Sequence, residues 1–199
     1  MAVGPMTEEK LRLFLAIPLQ EIFLDEIQQT LRSLKSKLPD IRWIKPEQVH
    51  LTLHFFGDTP ASEVERIDEV LRSMLSNFSP LRVCLDGVGG FPDFRRPRVI
   101  WLGVHDETGG LQPLQKAVSA EMKKLGFEIE DRPFTPHVTL ARVREKLPSE
   151  LLETTFKKTV LPLPTAVKVA DRFVLYRSRL LPQGAIHDIL KTYSFTKTS

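Results

Sequence analysis

No disulfide can form within this chain, whose 199 residues include a single cysteine, Cys84. The same scarcity excludes a zinc site built on several thiolates and suits a reducing, cytoplasmic setting. Long apolar runs are missing as well. Nowhere do hydrophobic residues continue for the roughly 18 positions that a membrane span needs, so no membrane association is expected. The most apolar segment near the start, 13–19, follows the acidic pair Glu8 and Glu9 and has no small-residue cleavage pattern after it. It reads as a buried strand, not a secretory signal. The chain also lacks a His-x-x-x-His pair on a helical segment, a Walker-type phosphate loop and any carboxylate cluster at ligand spacing. No metal and no organic cofactor are therefore expected. Nor is there a strong excess of one charge: the formal net charge of +3 is a mild basic bias that suits a polyanionic partner without demanding one.

What is present is a core of ordinary size, with 42% apolar residues, enough for one compact domain. Runs of β-branched and aromatic residues predict strands over 12–17, 49–55, 81–88, 98–104, 137–143, 167–176 and 186–195. Between them lie helical periods. Ile22, Phe23, Ile27, Leu31, Leu34 and Leu38 share one face of a first helix. Thr59 and Pro60 read as the start of a second, which buries Val64, Ile67, Val70, Leu71, Met74 and Phe78. Leu111, Leu114, Val118, Met122 and Leu125 mark a third, with Gly126 where a C-terminal cap is expected. A shorter fourth begins at Ser149. The segment 87–97 reads as a mobile loop.

The order repeats: strand, helix, His-bearing strand, helix, strand. The offset is nearly constant, being 86 residues from Arg12 to Arg98, 87 from His50 to His137 and 84 from Val83 to Val167. This predicts one α+β domain over 1–199 built from an internal repeat, 12–91 and 98–176. The expected architecture is two pseudo-symmetric lobes, each an antiparallel sheet with helices on its outer side, facing across a central cleft.

Each half carries the same short motif. The first reads His50-Leu51-Thr52-Leu53 and the second His137-Val138-Thr139-Leu140. Side chains alternate along a strand, so His50 and Thr52 share a face roughly 7 Å apart while the aliphatic residues anchor the other side. Two such strands facing each other would surround one point with two imidazoles and two hydroxyls. Hydrolysis of a phosphodiester uses that set: a base for the attacking water, an acid for the leaving alkoxide, and donors for the non-bridging oxygens. Two histidines at the ordinary pKa near 6.5 would be in the required one-neutral, one-protonated state in roughly a fifth of molecules at pH 7. A lone His-x-Thr in a strand is weak evidence, since histidine is more often a surface or satisfied core residue. Recurrence at equivalent positions of a repeat is what shifts the balance.

These paired motifs resemble those of the 2H phosphoesterase superfamily, and within it the RNA 2′,3′-cyclic phosphodiesterases also called 2′-5′ RNA ligases. Supporting segments are Arg12-Leu13-Phe14-Leu15-Ala16-Ile17, Arg42-Trp43-Ile44-Lys45-Pro46, Phe55-Phe56-Gly57, Arg132-Pro133-Phe134-Thr135-Pro136-His137 and Leu175-Tyr176-Arg177-Ser178. The resemblance implies a metal-independent enzyme that opens the cyclic phosphate at an RNA or oligonucleotide end to a 2′-phosphate. It implies His50 as proton donor, His137 as proton acceptor, and Thr52 and Thr139 as phosphate-holding groups. It also points to Arg142 as a phosphate ligand. Here the strand period objects: His137 and Arg142 differ by an odd number, so a regular strand would send them to opposite faces. A bulge or the strand end near Ala141 would be needed to turn the guanidinium into the cleft.

By the same parity His54 and Phe56 fall on the His50 face, Phe56 as a candidate base-stacking ring. His105 and His187, without equivalents in the other half, read as surface residues. Arg95, Arg96 and Arg98 form a basic cluster able to track an RNA backbone. A non-catalytic nucleotide-binding module on the same fold is the main alternative, separated from the enzyme by turnover. A metal-dependent hydrolase is the next, separated by response to chelators. Joining of 2′-5′ ends is the same chemistry run backwards, drawing on the cyclic phosphate itself. A monomer without protein partners is expected.

Overall fold

The computed structural model describes residues 8–93, 95–144, 148–157, 165–182 and 184–196. Parts of the expected second repeat copy, at 145–147 and 158–164, lie outside them. The protein is α+β. Nine described strands form one antiparallel sheet: β1 (Lys10–Ile17), β2 (Arg42–Trp43), β3 (Leu51–Pro60), β4 (Leu81–Phe91), β5 (Val99–Asp106), β6 (His137–Arg142), β7 (Lys168–Ala170), β8 (Arg172–Leu181) and β9 (Gly184–Ser194). Their spatial order is β7-β4-β5-β6-β3-β1-β8-β9, with β2 beside β6. The two motif strands, β6 and β3, are neighbours at the middle. They pair only through Leu51 and Val138, so the sheet is nearly divided there into two lobes.

Four α-helices lie among the described residues: α1 (Leu24–Lys37), α2 (Glu63–Met74), α3 (Leu111–Lys124) and α4 (Ser149–Lys157). Each of the first three forms because its apolar residues recur every three or four positions: Ile27, Leu31 and Leu34 in α1, Ile67, Leu71 and Met74 in α2, Leu111, Leu114, Val118 and Met122 in α3. These faces join Leu11, Leu13, Leu15 and Ile17 of β1 in the main core. Alternation along β1 sends Phe14 and Ala16 to the opposite face, where they form a second small cluster with Val174 and Tyr176. That face carries the site. None of the described helices is long and apolar enough to cross a membrane.

Gly126 ends α3 as its position suggests. It has φ +91, and the Phe127 amide bonds the Met122 carbonyl at 3.0 Å while the Gly126 amide bonds that of Lys123 at 3.0 Å. The start of α2 differs from expectation. Thr59 and Pro60 stay in β3, paired with Leu11 and Lys10, and the helix begins at Glu63 after Ser62. Thr59 is buried, and its hydroxyl turns back to the Phe56 and Gly57 carbonyls instead of capping a helix. The expected loop over 87–97 is shorter, because β4 continues to Phe91 against β5. The run 167–176 is not one strand: it breaks at Asp171, β7 pairing with β4 and β8 with β1 at the other side of the sheet. β4 likewise lies in the β5–β6 half, so each half of the sheet holds strands from both halves of the sequence.

His54 contributes to the fold in a pH-dependent way. It is 6% exposed, lies against Phe56 with ring centroids 4.7 Å apart, and its Nε2 has no hydrogen-bond partner among the described residues. Burial lowers its pKa from 6.5 to about 4. Above pH 6.5 the folded and unfolded chains are both neutral at this residue, so nothing is lost. As pH falls from 6.5 toward 4 the unfolded chain takes up a proton that the folded chain refuses, and stability declines by about 2–3 kcal/mol near pH 4.5. Urea denaturation of the wild type and His54→Leu at pH 7 and pH 4.5 checks this. The drop between the two should be smaller in the variant by roughly that amount; an equal drop would show that His54 is not the group responsible.

Candidate active site

The single pair Leu51–Val138 fixes the geometry of the motifs. Both residues are fully buried in the main core, which turns their strand neighbours to the other face. Extended by one residue each way, that antiparallel register would set His50 opposite Thr139 and Thr52 opposite His137. In such a regular pair the histidines would occupy one diagonal and the threonines the other, with diagonal neighbours roughly 7–8 Å apart. All four are half-buried.

Both imidazoles are oriented by the same device. Nδ1 of His50 lies 2.7 Å from the Gln48 carbonyl, and Nδ1 of His137 lies 2.7 Å from the Thr135 carbonyl. A carbonyl oxygen only accepts, so in each ring Nδ1 carries the hydrogen and Nε2 is left for the cleft. Aromatic rings wall both. Phe14 stacks on His50 at 4.7 Å, and His187 meets it edge-on at 5.3 Å. Phe91 contacts His137 edge-on at 4.9 Å, with Trp101 at 6.0 Å. Room for Trp101 comes from Gly89, where a Cβ would stand 2.2 Å from the indole.

The electrostatics follow from this walling. The His50 pKa is lowered from 6.5 to about 4, by burial first and then by His187, with a further contribution from His137; the Gln48 carbonyl opposes the shift. That of His137 is lowered by burial, against the Thr135 carbonyl and Glu130. His50 is therefore neutral at pH 7 in the protein alone. A phosphate monoanion placed between the two rings favours the charged forms and pulls both pKa values upward.

The strand ends hold the bulges that the period of two could not anticipate. Ile100 and Trp101 of β5 face Ala141 and Thr139 of β6, leaving Leu140 unpaired. Leu140 and Ala141 are consequently both buried in the main core, and Arg142 emerges exposed. The bulge thereby returns Arg142 to the face of His137 and Thr139. β3 carries the equivalent irregularity: Leu15 and Ala16 of β1 face His54 and Thr52, leaving Leu53 unpaired. His54 is therefore turned into the core, and Phe55, 52% exposed, takes the cleft face. The expectation that His54 and Phe56 flank His50 is corrected by this bulge, and Phe56 packs against Phe127 at 5.1 Å. His187 is not a surface residue either, since β9 folds it against His50 and Phe14. His105 is exposed as expected, and so are Arg95, Arg96 and Arg98. The sequence reading missed Phe14, Tyr176, Phe91 and Trp101. Alternation offered a signal for Phe14, which lies between the core residues Leu13 and Leu15 and must face the other way.

The family model of the 2′-5′ RNA ligase superfamily matches residues 23–179. The chain belongs to that superfamily. Among 2′-5′ RNA ligase superfamily relatives, the RNA 2′,3′-cyclic phosphodiesterase of Methanothermobacter thermautotrophicus is 33% identical over 92% of this chain and 98% of its own length. That of Thermotoga maritima is 30% identical over 93% and 96%. Of solved structures, TT0787 of Thermus thermophilus superposes with a TM-score of 0.79 at 26% identity, covering 95% of this chain and 100% of that one. E. coli LigT complexed with 3′-AMP gives 0.73 at 25% identity, again over 95% and 100%. The antiparallel α+β fold with its divided central cleft is thus the superfamily's fold.

Proposed function

We propose that this protein hydrolyses the 2′,3′-cyclic phosphate at an RNA end to a 2′-phosphate, with His137 as general base and His50 as general acid. The observation that carries the reading is the pair of imidazoles that precede the cross-paired Leu51 and Val138, each with Nδ1 bound to the carbonyl two residues back, which leaves Nε2 for the cleft. In-line displacement at phosphorus needs the attacking and leaving oxygens on opposite sides, and two groups on a diagonal serve both. Water gives its proton to Nε2 of His137 as it attacks phosphorus. The P–O3′ bond breaks, O3′ takes the proton from Nε2 of His50, and the phosphate stays on O2′. Exchange with solvent then moves a proton from His137 back to His50. Because burial and His187 hold His50 neutral, the anionic substrate itself raises the His50 pKa and so charges the acid. A 5′-hydroxyl in the place of water would give a 2′-5′ linkage by the same steps.

Thr52 and Thr139 donate hydrogen bonds to the non-bridging oxygens, and the Arg142 guanidinium balances their charge from the end of β6. Thr52→Val or Thr139→Val keeps the side-chain volume and removes one donor to a charged group. Each is expected to lower kcat/KM roughly ten- to a hundredfold, less than loss of either histidine. Steady-state kinetics on one oligonucleotide substrate checks the ranking; a threonine variant as crippled as a histidine variant would contradict it.

The reading is tested by incubating the purified protein with an oligonucleotide that ends in a 2′,3′-cyclic phosphate and resolving the product isomers. A 2′-phosphate end is expected. Binding without turnover would mean that the site only holds a phosphate, and a 3′-phosphate product would place the wrong oxygen beside His50.

A further inference from the structure

We propose that the cavity beside His50 seats the terminal nucleobase of the substrate and favours bases bearing an exocyclic amino group. The proposal rests on the acid role given to His50. If O3′ leaves toward His50, the ribose that owns O3′, and the base on that ribose, lie on the same side, while the His137 side needs room only for water. A cavity of about 140 Å³ opens there, with His50 as one wall. Its other walls include Gln20 after β1, Glu47 before β3, Tyr176 on β8, and His187 and Ile189 on β9. The β8–β9 hairpin is latched over it by a hydrogen bond from the Gln48 side-chain amide to the Ala185 carbonyl.

Two of the side chains that line this cavity carry a buried polar atom with no partner among the described residues, Gln20 at Oε1 and His187 at Nδ1. Buried polar atoms in native proteins are almost always paired, so two such side chains on one cavity point to a polar ligand. A single bridging water needs only roughly 10–15 Å³, far less than is available. The chemistry of the lining selects the occupant. The Gln20 amide nitrogen bonds the Tyr176 hydroxyl, so its oxygen is turned to accept. Glu47 at the mouth is a second acceptor, and a neutral His187 accepts at Nδ1 when its hydrogen sits on Nε2. Three acceptors call for a donor. Tyr176 and the exposed Ile189 give a flat apolar wall for a ring. Adenine, cytosine and guanine present an amino group; uracil offers two carbonyls and one N–H.

Four oligonucleotides of one sequence, differing only in the terminal 2′,3′-cyclic nucleotide, test this through their kcat/KM values. The wild type is expected to prefer each amino-bearing terminus over uridine by about three- to tenfold, the scale of one hydrogen bond between neutral groups. Gln20→Leu, and separately His187→Phe, which keeps an aromatic ring against His50 and Phe14, should bring that ratio toward one. Equal turnover of all four by the wild type would overturn the proposal, as would an unchanged ratio in both variants. Turnover of none would instead defeat the hydrolytic function on which it stands. The wild-type ranking needs no variant and so decides the matter even if a substitution impairs folding.

Discussion

His137→Ala and His50→Ala are each expected to lower kcat/KM on an RNA 2′,3′-cyclic phosphate by roughly 10²–10⁴-fold, the range for loss of a positioned proton-transfer group. The loss should fall mainly on kcat, because in the proposed site the phosphate keeps Thr52, Thr139, Arg142 and the remaining imidazole. The two effects should not multiply. In the proposed mechanism acid and base act in one concerted step, so the double variant is expected to be little worse than either single one. Both rings are half-buried on the cleft face and outside the main core, so thermal melting and circular dichroism should show a folded protein in each case. A folded variant with near-normal turnover would remove that residue from the mechanism.

Much of the site was legible in the sequence. The two His-x-Thr motifs at a near-constant offset specified which residues meet, and strand alternation specified which of their atoms share a face. The helices were readable for the same reason: Ile27, Leu31 and Leu34, or Leu114, Val118 and Met122, repeat at the helical period and are buried as that period requires. What failed were features that have no period. A bulge inserts one residue without changing the pattern of residue types, so nothing in Leu53-His54-Phe55-Phe56 announces that Leu53 and His54 both turn inward. Arg142 shows the same effect with the opposite outcome, the Leu140 bulge supplying the turn that regular alternation denied it. The break at Asp171 lies inside a run that reads as continuous strand, and only the pairing of β7 with β4 and of β8 with β1 separates the two. His187 reaches His50 through the β8–β9 hairpin, a contact between residues far apart in the chain, and local sequence carries no trace of it.

The assignment of roles to the two histidines is the centre of the account, and a pH–rate profile alone cannot test it. In the proposed mechanism the rings share one phosphate, so the limbs of a bell-shaped profile belong to the pair and do not identify which residue is acid and which is base. The leaving group can. A cyclic or aryl phosphodiester whose leaving oxygen departs readily as an anion needs little help from an acid, yet attack by water still needs a base. On such an activated substrate His50→Ala should recover most of the activity it loses on the natural diester, a differential of about 10²-fold or more, whereas His137→Ala should remain inactive on both. The decisive measurement is therefore kcat/KM for wild type, His50→Ala and His137→Ala on the activated and natural diesters side by side. The proposed geometry predicts rescue of His50→Ala alone. Rescue of His137→Ala with no rescue of His50→Ala would reverse the two roles and contradict the placement of the leaving oxygen beside His50.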